Sequence, residues 1–242
     1  AAEAAGRVLA HPFRQLFRCG GAGCAALLLG LVGGYPVGAR TAAELVRRGE
    51  LSPAEGARLL TFCNNAGPAF AIGVAGVSVF GSARTGAWLY LLHCAAALLT
   101  GLLFCRRPLP VTAMPKRPVP PRAGLTGQFL RAVEGAVSAM ARVCGFVVFF
   151  LVLLRVMGRV TGLSHPVLSG AVELTQGILA LPHTRRGFVW AAGLLGWGGL
   201  SVHGQSAAVL SGTDLPMGPY LAAKAAHAAV SVLLAWPVSM CL

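Results

Sequence analysis

Acidic residues are scarce in this sequence: seven Asp and Glu stand against twenty Lys and Arg. Charge of either sign is thin, at 11% of residues, where a soluble domain carries about 25%. With 56% hydrophobic residues and a mean hydropathy of +0.71, the composition excludes an ordinary soluble domain and fits a polytopic membrane protein. There is no GxSxG, HExxH or Walker A run, and Asp214 and Glu173 lack the spacing of a paired-carboxylate site. Nothing in the chain therefore supports an enzyme. The seven cysteines form no CxxC, and no Cys/His cluster has zinc-finger spacing, so neither a disulfide framework nor a metal or other cofactor is expected. The net charge of +13 is dispersed between apolar runs instead of gathered on one face or tail, which argues against nucleic acid as a partner.

The apolar runs are present but interrupted. Residues 1–18 read as an interfacial helix carrying Arg7, Arg14 and Arg18. An apolar Gly/Ala-rich run from Cys19 breaks at "GGYPVGA", Gly33 to Ala39, and resumes as a basic amphipathic piece ending near Arg48. "GELSPAEGARLL" is a helix start, with Ser52 as N-cap, Pro53 at the first helical position and Glu55 closing a capping box. That helix breaks at Asn64 to Pro68 and resumes through Phe80. Arg84 to Phe104 has no internal charge or proline and is long enough to span a bilayer, which takes about 20 residues. A basic Pro-rich linker, 106–124, then divides a first repeat (1–105) from a second (125–242).

The second half repeats the order. A long helix, Leu125 to Arg159, is followed by a short segment broken at "VELTQG", Val172 to Gly177. A further segment is broken at "GWGGLSVHGQS", Gly196 to Ser206, and a last span from Pro219 contains Lys224 and His227. Interrupted segments at matching positions in two halves are the sequence sign of an all-α transporter with two inverted repeats of broken or re-entrant helices. If the first interrupted segment of each half is re-entrant and the second crosses, Arg40, Arg47, Arg48, Arg106, Arg107, Lys116, Arg117, Arg122 and Arg131 collect on the cytoplasmic side. Only Arg84, Arg159, Arg185 and Arg186 remain opposite. The Arg185–Arg186 pair stands against this map.

In lipid a broken helix persists only where protein or a cavity satisfies its backbone, so four breaks point to one shared site. "CNNAGP" offers the amides of Asn64 and Asn65, with Pro68 opening the next half-helix; the plain alternative is helix capping. Gly34, Tyr35 and Pro36 supply flexibility, a phenol and a kink, or simply a tight helix crossing. Glu173 is the one acid in the apolar segments of the second half, flanked by the hydrogen-bonding side chains of Thr175 and Gln176. It reads either as a coupling group for a proton or cation, or as the ion-pair partner of Arg142, Arg155 or Lys224. Ser201, His203 and Gln205 alternate after a Gly pair and would face one way in extended backbone.

These runs resemble the YlbJ (SpoVV) sporulation integral membrane protein family. "GYP-G" followed by "F-NN-GP", then "ELTQGI", "GWGGLSVHGQS" and "KAAHA", occur in the family's order over roughly residues 19–230. That family lies in the nucleoside-recognition Gate-domain group, related in outline to concentrative nucleoside transporters. The resemblance implies a protein of the outer forespore membrane of an endospore former, moving dipicolinic acid. It makes Gly34, Tyr35, Pro36, Asn64, Asn65, Pro68, Glu173, Thr175, Gly177, Ser201, His203 and Gln205 the motif residues. Family members extend further at the N-terminus, so the chain is expected to be shortened there. The expected partners are a small anionic solute, the lipid bilayer and a coupling proton or cation, and a homo-oligomer is left open. A nucleoside or nucleobase carrier and a non-transporting scaffold for spore or envelope assembly are the alternatives.

The charge map has a direct test. In a variant whose native cysteines are replaced, Ala113→Cys in the linker should react with an impermeant maleimide only in inverted membrane vesicles. Labelling in intact cells would reverse the assigned orientation.

Overall fold

The computed structural model describes residues 2–106, 124–162 and 165–241, with side chains from residue 10 onward. The expected linker thus lies almost wholly outside the described residues. All regular structure among them is helical. In the first half these helices are α1 (Ala2–Phe17), α2 (Gly23–Gly33), α3 (Val37–Arg47), α4 (Pro53–Cys63), a π-wound helix π1 (Ala69–Val79) and α5 (Ala83–Phe104). The second half contains α6 (Leu125–Thr161), α7 (Pro166–Val172), α8 (Leu174–Leu179), α9 (Arg185–Trp197), α10 (Gly199–Leu210) and α11 (Met217–Val238). Three of them, α5, α6 and α11, are long and apolar enough to cross a membrane. With this composition they make the chain an integral membrane protein.

Local sequence explains most of the boundaries. Ser52 caps α4 by accepting from Glu55 N–H, while the Glu55 carboxylate accepts from Ser52 N–H at 2.9 Å, completing the reciprocal box. Pro53 stands at the first helical turn, where no N–H is needed. The α9–α10 break is narrower than the sequence suggests. It occupies Gly198 and Gly199, both at positive φ (90° and 81°), which a side chain would resist. Helix resumes at once, so Ser201, His203 and Gln205 lie on α10 and not in extended backbone.

Tertiary contacts fix the direction of each element. α2 and α3 form a hairpin that enters from one end of the bundle and turns back at Gly34–Pro36. Both arms pack so closely on the end of α4 that a Cβ on Gly30 or Gly38 would strike the Cys63 carbonyl oxygen. α4 starts at that same end, where Gly20 N–H donates to Glu55 at 2.9 Å, and π1 continues to the opposite end, where Phe80 meets His183. α5 returns, and Arg18 donates to the Arg106 carbonyl at 3.0 Å. α6 leaves from the same end, where Arg40 donates to the Gly135 carbonyl. In the second half the senses reverse. The short α7–α8 hairpin enters from the opposite end, with Gly170 and Gly177 back to back. α9–α10 then crosses back, so that Arg47 donates to the Val209 and Ser211 carbonyls at 3.0 Å. α11 makes the final crossing against α5 and α9.

One end therefore gathers Arg18, Arg40, Arg47, Arg48, Arg58 and Arg106, of which Arg40, Arg47, Arg48 and Arg106 belong to the set that the charge map puts on one side. Two apolar clusters fill the bundle. One is built on Phe13, Phe17, Leu59 and Phe62, with Phe17 stacked on Phe62 at 4.5 Å; the other is built on Val79, Leu89, Phe188 and Leu195. Between them lies a polar layer. α6 stands apart from this core, since none of its 37 residues is buried.

Because the hairpin depends on a backbone approach, Gly38→Ala should destabilise the protein by about 1–3 kcal/mol, the range for overpacking a close contact. Thermal unfolding in detergent would read it, and a wild-type melting temperature would contradict the packing.

Candidate functional site

The four breaks come together in the polar layer. A Cβ on Gly34 would lie 3.0 Å from Gly67 N, joining the first break to the second. The Tyr35 ring covers Gly198, 3.3 Å from where a Cβ would stand, joining the first to the fourth. Gly199 lies against the Gly170 carbonyl and Leu174 N, each 3.0 Å from such a Cβ, joining the fourth to the third. Trp197 Nε1 donates to the Ala171 carbonyl at 3.0 Å across the same junction.

A pocket of about 210 Å³ opens where they meet, lined by Gly34, Tyr35, Gly67, Glu173, Thr175 and Gln205, with Val143 and Val147 of α6 closing one side. Beside it lies a cavity of about 880 Å³ between α3, α6 and α10, walled by Arg40, Arg47, Arg48 and Arg142 with Glu44 as its one acid. Gln205 and Val143 belong to both walls. The larger cavity is thus a basic vestibule that adjoins the inner pocket.

The amides of "CNNAGP" face away from both cavities. Asn64 clasps the halves together: its Oδ1 accepts from Ala39 N–H at 3.3 Å, and its Nδ2 donates to Ser206 Oγ at 2.9 Å and Tyr220 OH at 3.1 Å. Asn65 Nδ2 donates to the Phe62 carbonyl at 2.8 Å as a local helix-end cap, and its Oδ1 is buried without a partner. Pro68 is half-buried at the start of π1, and Pro36, beside the cis Tyr35–Pro36 bond, lines the vestibule.

Glu173 is 2% exposed. Its carboxylate accepts from Gln176 N–H at 2.9 Å, capping α8. Among the described residues it has no ion-pair partner, so the expected pairing with Arg142, Arg155 or Lys224 does not occur. Thr175 reaches the pocket wall, whereas the Gln176 side chain is exposed on the outside of α8. The shared direction expected of Ser201, His203 and Gln205 is also corrected. On a helix Ser201 and Gln205 share a face, 3.4 Å apart, while His203 points elsewhere. His203 Nδ1 meets Tyr220 OH at 3.2 Å, its ring stands edge-on to Trp197, and its Nε2 is buried without a partner.

The residue at the centre is one that motif reading left aside. Lys224 is 1% exposed. Its ammonium donates to Tyr35 OH at 2.9 Å, to the Asn64 carbonyl at 3.2 Å and to His227 Nδ1 at 3.3 Å. His227 then carries its proton on Nε2, which donates to the His93 carbonyl at 3.1 Å. His93 stacks on His227 at 4.5 Å, and its Nε2 accepts from Ala66 N–H at 3.0 Å. In this arrangement His227 accepts through Nδ1 and His93 through Nε2. Tyr220 and Ser206 complete the network. The signal was present in "KAAH", two ionisable residues one helical turn apart in an otherwise apolar span.

Fold and centre together define a polytopic helical membrane protein whose broken helices surround a buried polar core. The chain is 29% identical to the sporulation integral membrane protein YlbJ of Bacillus subtilis (strain 168), over 95% of this chain and 68% of that protein. That similarity agrees with the resemblance to the YlbJ family carried by the broken-helix motifs. No family model matches the chain, and no solved structure matches it.

Replacing Asn64 by Leu leaves the buried Ala39 N–H unpaired and takes one partner each from Ser206 and Tyr220, and should cost about 1–3 kcal/mol for the group left unpaired. Gln176→Ala, on the outside, should stay within about 0.5 kcal/mol of wild type. Equal melting temperatures for the two variants would show that Asn64 is no clasp.

Proposed function

We propose that the chain is a membrane transporter of a small anionic solute, built as two inverted repeats. The single observation that carries the reading is the convergence of four broken helices on one pocket that adjoins an arginine-lined vestibule. Broken helices meeting at a central polar site are how many secondary transporters build their binding sites. The opposed helix directions of the two halves support the repeat. Four arginines against one glutamate raise the local concentration of an anion and disfavour a cation.

The inner pocket limits the size of the solute. Drug-sized ligands occupy about 300–1,000 Å³, so about 210 Å³ suits a molecule of one ring. Dipicolinic acid, a planar pyridine dicarboxylate, satisfies both size and charge better than a nucleoside, which adds a ribose and carries no anion. Glu173, unpaired on the pocket wall, takes the role of the group that binds a coupling proton or cation. The kinship with a sporulation protein supports action in spore formation, at the outer forespore membrane.

Purified protein in proteoliposomes should take up dipicolinate saturably, faster under a proton gradient, and leave uridine outside. Glu173→Gln should bind dipicolinate but lose the response to the gradient. Uptake of uridine alone would favour a nucleoside carrier, and uptake of neither by folded protein would favour the scaffold reading.

A further inference from the structure

Lys224 Nζ is buried, and among the described residues no carboxylate meets it. All three donors of its ammonium are met by neutral acceptors: Tyr35 OH, the Asn64 carbonyl and His227 Nδ1. In a low-dielectric interior an anion beside such an amine holds it protonated and is strongly attracted to it, because neutral partners solvate the ammonium without cancelling its charge.

The three acceptors differ in how they are held. The Asn64 carbonyl is backbone at the end of α4, fixed by the clasp that its own side chain makes. His227 stands one turn along the same helix as Lys224 and is locked by the His93 carbonyl. Tyr35 is the exception. It sits at the tip of the α2–α3 hairpin and lines the inner pocket, and its hydroxyl stands on Lys224 while donating to the Leu195 carbonyl at 2.9 Å. Its ring also lies under the ammonium, 5.0 Å from centroid to Nζ.

We propose that the Tyr35 hydroxyl is a placeholder for an anionic oxygen of the solute, and that Lys224 is the residue that binds the solute's carboxylate. A carboxylate entering the inner pocket displaces the phenol from Lys224 Nζ. The neutral hydrogen bond is exchanged for a charge-assisted one of about twice the strength. That gain offsets the lost Tyr35–Leu195 bond. Occupancy is thereby tied to the position of the Gly34–Pro36 tip, because the tip carries the displaced ring. Glu173 shares the pocket, so the anion enters with a proton or cation on that carboxylate. The inference rests on the anion-transporter reading and names the binding residue within it.

The test uses the full chain in lipid nanodiscs, with dipicolinate as probe and its neutral dimethyl ester as control. Dipicolinate should raise the melting temperature of the wild type and the ester should not. Lys224→Met, which keeps length and volume, should weaken dipicolinate binding at least tenfold. Tyr35→Phe removes the placeholder but keeps the ring, and should bind dipicolinate several-fold more tightly. A purely structural Tyr35 predicts the reverse or no change. Wild-type affinity in folded Lys224→Met, or unchanged or weaker binding in Tyr35→Phe, overturns the proposal while the transporter reading stands. If Lys224→Met fails to fold, the Tyr35→Phe result decides alone. If the wild type binds no dipicolinate, the dipicolinate reading falls first and this proposal with it.

Discussion

The buried ammonium of Lys224 is the interaction on which the centre of the molecule depends. An unpartnered cation among apolar helices is costly, so each of its protons must find an acceptor. The acceptors arrive from the hairpin tip at Tyr35, from the end of α4 at Asn64 and from α11 itself at His227. Two of the three belong to the opposite half of the chain. Satisfying one lysine therefore sets the hairpin tip, the α4–π1 break and the last span in fixed relation.

The same requirement explains why the breaks meet. Each interruption frees backbone groups that lipid cannot satisfy. Bringing the four together lets them serve one another and the side chains around them: Asn64 to Ser206 and Tyr220, Trp197 to Ala171, Tyr35 to Leu195. Glycines at Gly30, Gly34, Gly38 and Gly199 permit the approach. The result is a polar layer held between two apolar clusters, with a small pocket at its middle and an arginine-walled cavity at one end. α6, which has no buried residue, walls both spaces and is the element least tied to the core.

Much of this organisation was legible because its causes are local. The Ser52–Glu55 box, the stop at Asn64 and the restart after Pro68 follow from capping chemistry and proline geometry within a few residues. The place of Ser201, His203 and Gln205 was misjudged for the same reason. Two glycines announce a break, but they do not say that helix resumes at the very next step. Glu173 was legible as a pocket residue, and its lack of a basic partner was not, since pairing is decided by distance in space. Lys224 and His227 stood out as ionisable residues in an apolar span. Their importance lies in partners 134 to 189 positions away along the chain.

The sequence by itself determined that the chain is helical, membrane-embedded and interrupted at four places, because hydropathy, charge placement and helix breakers act over a turn or a span. It also carried the resemblance to the YlbJ family, because the breaks follow that family's order. Only the tertiary structure decided which polar groups face one another. Asn64 became a clasp, Gln176 an outer residue and Lys224 the centre, because hydrogen-bond satisfaction in a lipid-embedded core is settled between segments and not along them.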